Sequence, residues 1–187
     1  MLISKTLRLL AVLVALTLAT GAAAALAQDD ATPEADSSGA TTSGGGDPAA
    51  GDEVQYLDEG GDEIAIATVT NVTDNFDEFD EFFTPDEGTR YVAVEIGVRS
   101  TGDELDVESF DFSLLTTDGF LYSTSFVSRE DDAEPPELED TEVEEGDAVS
   151  GVIFFSVPED AELDRLMWQP DSGRLLILAN LSDAAAA

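Results

Sequence analysis

The segment Arg90–Ser100, RYVAVEIGVRS, places Val92, Val94, Ile96 and Val98 at every second position, with Tyr91, Ala93, Glu95, Gly97 and Arg99 between them. A helix repeats its faces every 3.6 residues, so a strict period of two predicts a strand with one face buried. The same period runs through most of Val54–Leu181. Glu63–Val72, EIAIATVTNV, alternates through Ile64 and Ile66 and is rich in β-branched residues. Ser109–Leu115 is expected to turn Phe110, Phe112 and Leu114 inward. The Asp118-Gly119 pair that follows is a hairpin signal leading into a strand from about Phe120 to Phe126. Ala148–Pro158 is apolar on both faces, with Ile153, Phe155 and Val157 on one and Val152 and Phe154 on the other. That pattern predicts a strand covered on both sides, which Pro158 ends. Leu163–Pro170 and Arg174–Leu181 flank the turn PDSG and complete a last hairpin. About seven strands with frequent turn signals define an all-β fold, an immunoglobulin-like antiparallel β-sandwich over residues 54–183. The single Trp168 is assigned to its core.

The N-terminal segment has a different character. Lys5 and Arg8 precede an apolar run from Leu9 to Ala19, and Ala25-Leu26-Ala27 fits a small-x-small cleavage site. Residues 1–27 are expected to be a signal peptide cleaved before Gln28. The competing reading is an uncleaved anchor over Leu9–Ala27, whose alanine-rich second half inserts weakly. Residues 28–53 are Asp-, Ser-, Thr-, Gly-, Ala- and Pro-rich and are expected to form a disordered acidic linker; residues 184–187 are expected to be a disordered tail. The chain has no cysteine. A cysteine-linked lipid anchor and disulfides are therefore excluded, and the fold must stand on its core.

Charge narrows the partners. Forty-two acids face seven lysines and arginines, for a formal charge of −35. Removing Lys5 and Arg8 with residues 1–27 takes it to −37 and leaves five arginines: Arg90, Arg99, Arg129, Arg165 and Arg174. Nucleic acid and anionic membrane surfaces are repelled by such a chain, and no membrane insertion is expected after cleavage. The excess of acid with no lysine beyond Lys5 fits either life in high salt or a GC-rich genome that prefers Ala, Gly, Asp and Arg. With no histidine and no cysteine, and no lysine beyond Lys5, the usual general bases and nucleophiles are missing. No catalytic residue and no cofactor are assigned.

Three segments carry a family resemblance. Pro85–Leu105, PDEGTRYVAVEIGVRSTGDEL, has a Gly-x-x-Tyr-Val-x-Val-x-Ile opening. Phe110–Ser125 contains Phe-x-Leu and Gly-x-x-Tyr elements, and Glu144–Asp160 runs into Gly-x-Ile-x-Phe-x-Val-Pro. Together they resemble the telokin-like family of bacterial exported domains of unknown function, akin to a mycobacterial secreted immunogenic antigen with an immunoglobulin-like sandwich. The resemblance spans roughly Glu63–Leu181. It implies the fold and export, and it brings no catalytic residues.

Two segments stand out as candidate sites. Residues 74–83, DNFDEFDEFF, hold Asp74, Asp77, Glu78, Asp80 and Glu81, a set of hard oxygen ligands of the type calcium takes. The spacing departs from Asp-x-Asp-x-Asp-Gly, so no metal is assigned. Phe76, Phe79 and Phe83 recur at a helical interval, which predicts a short helical turn capped by Thr73 or Asp74 that closes one end of the sandwich. An aromatic partner-binding patch is the further alternative. Arg129–Asp147 holds eleven carboxylates and Pro135-Pro136 and reads as a solvated, mobile acidic loop. The arginines are expected to pair with nearby acids. The function expected is an exported, non-enzymatic binding module for a protein or envelope ligand. A calcium- or salt-dependent extracellular module is the first alternative and a small carboxylate-dependent hydrolase the second.

Overall fold

The computed structural model describes residues 46–102, 104–130, 133–170 and 173–182. The expected signal peptide, most of the expected linker and the expected tail lie outside the described residues. The described chain forms ten strands: β1 (Glu53–Leu57), β2 (Glu63–Phe76), β3 (Thr89–Ser100), β4 (Leu105–Val107), β5 (Phe112–Thr116), β6 (Leu121–Ser125), β7 (Thr141–Val143), β8 (Ala148–Pro158), β9 (Leu163–Trp168) and β10 (Leu176–Asn180). The seven strands expected from the period of two are all present. The additional three, β1, β4 and β7, are five residues or fewer, and they bury Tyr56, Leu105, Val107 and Val143 in the core.

Every pairing between strands is antiparallel, in the order β1-β2-β3-β8-β6-β5-β9-β10, with β4-β7 as a separate small sheet. β6 turns the corner between two layers. Its first residues pair with β5, whereas Thr124 and Ser125 pair with Phe155 and Phe154 of β8. The hairpin feeding it turns at Gly119, whose φ of 88° is a left-handed conformation that glycine adopts without steric cost.

The two layers enclose one main core. β3 contributes Val92, Val94, Ile96 and Val98, and β8 contributes Ile153, Phe155 and Val157, the faces that the alternation assigns inward. Phe112, Leu114, Leu166 and Trp168 face them from β5 and β9. Trp168 is fully buried, stacked on Phe112 with ring centres 5.6 Å apart and tilted against Tyr56 at 5.7 Å. Such aromatic contacts add about 0.5–1.5 kcal/mol beyond area burial. β2 turns its small residues, Ala65, Ala67 and Val69, into the core, where β10 packs against it, and β1 pairs along its edge. Ile64 and Ile66 stay half-buried.

Phe110 departs from its expected inward position. A 3-10 turn over Ser109–Asp111 interrupts the period of two and leaves Phe110 61% exposed. Residues just before β1 also dock: the amide of Gly51 donates to Val69 O, and Pro48 O accepts from the amide of Asn180. Asp47 accepts from Arg165 Nε at 2.6 Å. Glu53, expected as the end of the linker, is the first residue of β1.

Candidate functional site

The outer face of the β3–β8 pair carries a second, smaller core. Alternation turns Tyr91, Ala93, Val152 and Phe154 away from the main core, and a sheet face this apolar must be covered. Two segments cover it. Phe76 packs on Phe154 with ring centres 5.1 Å apart, and Phe79 meets Tyr91 edge-on at 5.5 Å. From the other side Val127 is fully buried, and Arg129 lays its guanidinium carbon 5.2 Å from the centre of the Phe154 ring. The two segments are hydrogen-bonded to each other. The Asp80 amide donates to Ser128 O at 2.9 Å, and the Ser128 hydroxyl donates to the Asp80 carboxylate at 2.6 Å.

This corrects the reading of DNFDEFDEFF as a helical turn at one end of the sandwich. No helix forms between β2 and β3. A bulge between Asp74 and Phe76, with Asn75 at φ 55°, ends β2. Phe76, Phe79 and Phe83 then go to three different partners, the last of them Phe126 at 5.4 Å. The aromatic side does seal apolar surface, but it seals the outer face of a sheet.

The five acids of the segment have different fates. Asp74 is committed to Arg90 through two hydrogen bonds, Nε to Oδ1 at 2.7 Å and Nη2 to Oδ2 at 3.1 Å. Arg90 also donates to the carbonyls of Pro158 and, at 2.9 Å, Ala161. One almost buried guanidinium thereby ties the end of β2 to the start of β3 and the end of β8. A planar guanidinium with five donors suits that junction, and a lysine would leave partners unmet. Asp80 is held by Ser128, whereas Asp77, Glu78 and Glu81 are exposed. Among the described residues, no group of three acids is placed to share a metal ion.

Residues 133–147 are also more ordered than their composition suggests. Val152 donates to Pro136 O and accepts from the amide of Leu138, which seats residues 136–138 alongside β8. Leu138 is buried in the main core. Gly151 permits this approach, since a Cβ there would lie 2.5 Å from the Leu138 backbone. Arg129 donates to Pro135 O at 2.8 Å, and among the described residues it forms no ion pair, unlike Arg90 and Arg165. On the β4–β7 sheet, Glu142 lies beside Glu104. The charge of Glu104 and a hydrogen bond shared with it hold the Glu142 carboxyl above its ordinary range.

Two depressions flank the segment Phe126–Glu130. One, of about 580 Å³, is lined by Glu78, Phe79, Asp80, Glu81, Glu130 and Ala133. The other, of about 220 Å³, lies where β6 leaves β8 and is of mixed character, with Phe126, Leu138, Val152 and Phe154 beside Thr124, Ser125 and Glu137. Phe126 is 73% exposed and Phe82 is 86% exposed. The spacing of the aromatics in residues 76–83 marks them in the sequence, whereas no such spacing marks Phe126. Its signal was available: β6 turns polar at Ser123–Ser125, and a phenylalanine follows directly.

The fold and this loop-capped face define a small antiparallel β-sandwich domain. The model for the domain of unknown function DUF4352 matches residues 61–173, more than half of the chain, and the chain belongs to that family. Among solved structures it is similar to the secreted protein MPT63 of Mycobacterium tuberculosis, with a TM-score of 0.53 at 16% identity over 70% of this chain and 94% of that one. It is also similar to the yjhA protein of Bacillus subtilis, with a TM-score of 0.49 at 16% identity over 74% and 90%. A third likeness is to the lipoprotein candidate ycdA of Bacillus subtilis, with a TM-score of 0.49 at 21% identity over 67% of this chain and 37% of that one. No curated protein matches the chain. The MPT63 likeness supports the β-sandwich, and neither family nor neighbours indicate a catalytic activity.

Proposed function

We propose that this protein is an exported, non-enzymatic binding module, and that the surface around Phe82, Phe83 and Phe126 is its contact face. The observation that carries the reading is a contrast within one pair of segments. Phe76, Phe79 and Val127 are used to seal the sheet, yet Phe82 and Phe126 on the same segments stand in solvent. Exposed aromatic side chains on a hydrogen-bonded platform are the residues that anchor protein interfaces. Export is supported by the signal-like residues 1–27 and by the likeness to a secreted protein. Photo-crosslinking in the producing cell tests the contact face. A photoreactive residue in place of Phe82 should give a discrete adduct, and one in place of Phe120, also exposed but on the β5–β6 turn, should not. Equal labelling at the two positions, or none at Phe82, defeats the reading. Intact mass of the exported protein tests export, with Gln28 the expected first residue.

A further inference from the structure

We infer that the occupant of this face is a basic segment of a partner protein that carries apolar side chains next to its positive charges. The inference rests on the contact face proposed above and adds the chemistry of what covers it.

Three observations point to that occupant. The first is the pairing of the two depressions. The larger is lined by Glu78, Glu81 and Glu130 together with Phe79, and the smaller has the exposed Phe126 beside nearly buried Leu138, Val152 and Phe154, with Thr124, Ser125 and Glu137 also in its lining. Phe126 belongs to one and Glu130 to the other. Four residues of chain span at most about 14 Å, so a short peptide reaches both. An ammonium or guanidinium group in the larger depression meets carboxylates and an aromatic ring, while an adjacent apolar side chain fills the smaller one.

The second observation is that the local cation does not neutralise the site. Arg129 is turned onto Phe154 and spends a hydrogen bond on Pro135 O. The hydrogen bonds that fix the platform engage Asp80 and Ser128, and Glu78, Glu81 and Glu130 remain exposed.

The third is the field of the whole molecule. At a formal charge of −35, a second copy presenting the same acid-rimmed face is repelled, as are nucleic acid and anionic lipid. Charge complementarity at an interface selects the partner and speeds its encounter. A basic segment gains from both the rim and the overall field, and the exposed phenylalanines give it a contact that salt does not screen.

Fluorescence anisotropy on the full chain tests this, with a labelled peptide of alternating arginine and leucine as probe and an arginine–serine and a glutamate–leucine peptide as comparisons. The arginine–leucine peptide should bind most tightly and the glutamate–leucine peptide not at all. The triple variant Glu78→Gln, Glu81→Gln, Glu130→Gln should weaken binding about tenfold. The double variant Phe82→Ser, Phe126→Ser should weaken it by a similar factor. A control triple, Glu59→Gln, Glu145→Gln, Glu159→Gln, removes as many charges elsewhere and should change affinity by less than about twofold. Thermal melts confirm that each variant folds. Equal weakening by the two triples shows that only total charge matters and overturns the inference. Loss in the phenylalanine variant with none in the first triple also overturns it, yet leaves the contact face standing. No loss in either variant removes both readings. Flotation with phosphatidylcholine vesicles, without peptide binding, assigns the aromatics to a membrane and overturns it as well.

Discussion

β8 has two faces, and they are covered in different ways. Its inner side chains, Ile153, Phe155 and Val157, are sealed by a second sheet whose strands are fixed by ladders of hydrogen bonds. Its outer side chains, Val152 and Phe154, are sealed by two loops that are joined through Asp80 and Ser128. A sheet spreads its cover across the whole face. A loop cover ends abruptly, and at its rim Phe82 and Phe126 are left in solvent. One strand therefore supports the core of the fold on one side and a platform for recognition on the other.

The largest effects are expected where that division is cut. Phe155→Ala opens a cavity between two rigid layers and should cost about 3–5 kcal/mol in denaturant unfolding, a large part of the roughly 5–15 kcal/mol that holds a domain folded. Phe154→Ala leaves a hole under loops that can settle into it, so roughly 2 kcal/mol is expected. Equal losses at the two positions would mean that the loops are as rigid as the sheet and would remove the contrast.

Arg90 and Arg165 sharpen the comparison electrostatically. Arg90→Ala strands the half-buried Asp74 and two carbonyls at a junction of three strands, and about 3 kcal/mol is expected. Arg165 pairs with Asp47 and Asp164 at the surface, where partial exposure lets entropy and screening offset most of the attraction. Arg165→Ala should leave the unfolding midpoint unchanged within error. A comparable loss from both variants would contradict the role given to the Arg90 junction.

A smaller effect is expected at Glu142. Its carboxyl is raised above the ordinary 4.5 because Glu104 is beside it, so the folded state holds the proton more tightly than the unfolded state. That contribution to stability is complete below about pH 4.5 and is lost as pH rises through the folded value. Glu142→Gln should therefore raise the melting temperature slightly at neutral pH and leave it unchanged in acid. A gain that is the same at both pH values would show that the repulsion is absent.

Much of the sandwich was legible because its strands are buried by alternation. Arg90–Ser100 and Ala148–Pro158 show their faces directly, and Asp118-Gly119 marks a turn that only a narrow set of residues makes. The strands β1, β4 and β7 are only three to five residues long, too short for their alternation to stand out, although Tyr56, Leu105, Val107 and Val143 are buried. Residues 136–138 likewise sit in an acidic run and are ordered by contact with a glycine in β8. The platform was half legible. Phe76, Phe79 and Phe83 mark it, but their spacing suggests a helix, because the bulge at Asp74–Phe76 and the Asp80–Ser128 link are set by tertiary contacts. Asp74 looked like a candidate calcium ligand because nothing in sequence ties it to Arg90, sixteen residues on.

The central claim is that the rim aromatics serve recognition and leave stability alone. Phe126→Ser tests it on one sample, by denaturant unfolding and by titration with the arginine–leucine peptide. The side chain is 73% exposed and meets the Phe83 ring edge to face, with ring centres 5.4 Å apart. The unfolding free energy should stay within about 0.5 kcal/mol of the unaltered protein while peptide affinity falls several-fold. A loss of more than about 1.5 kcal/mol in stability with unchanged peptide binding would make Phe126 part of the cover and contradict the account.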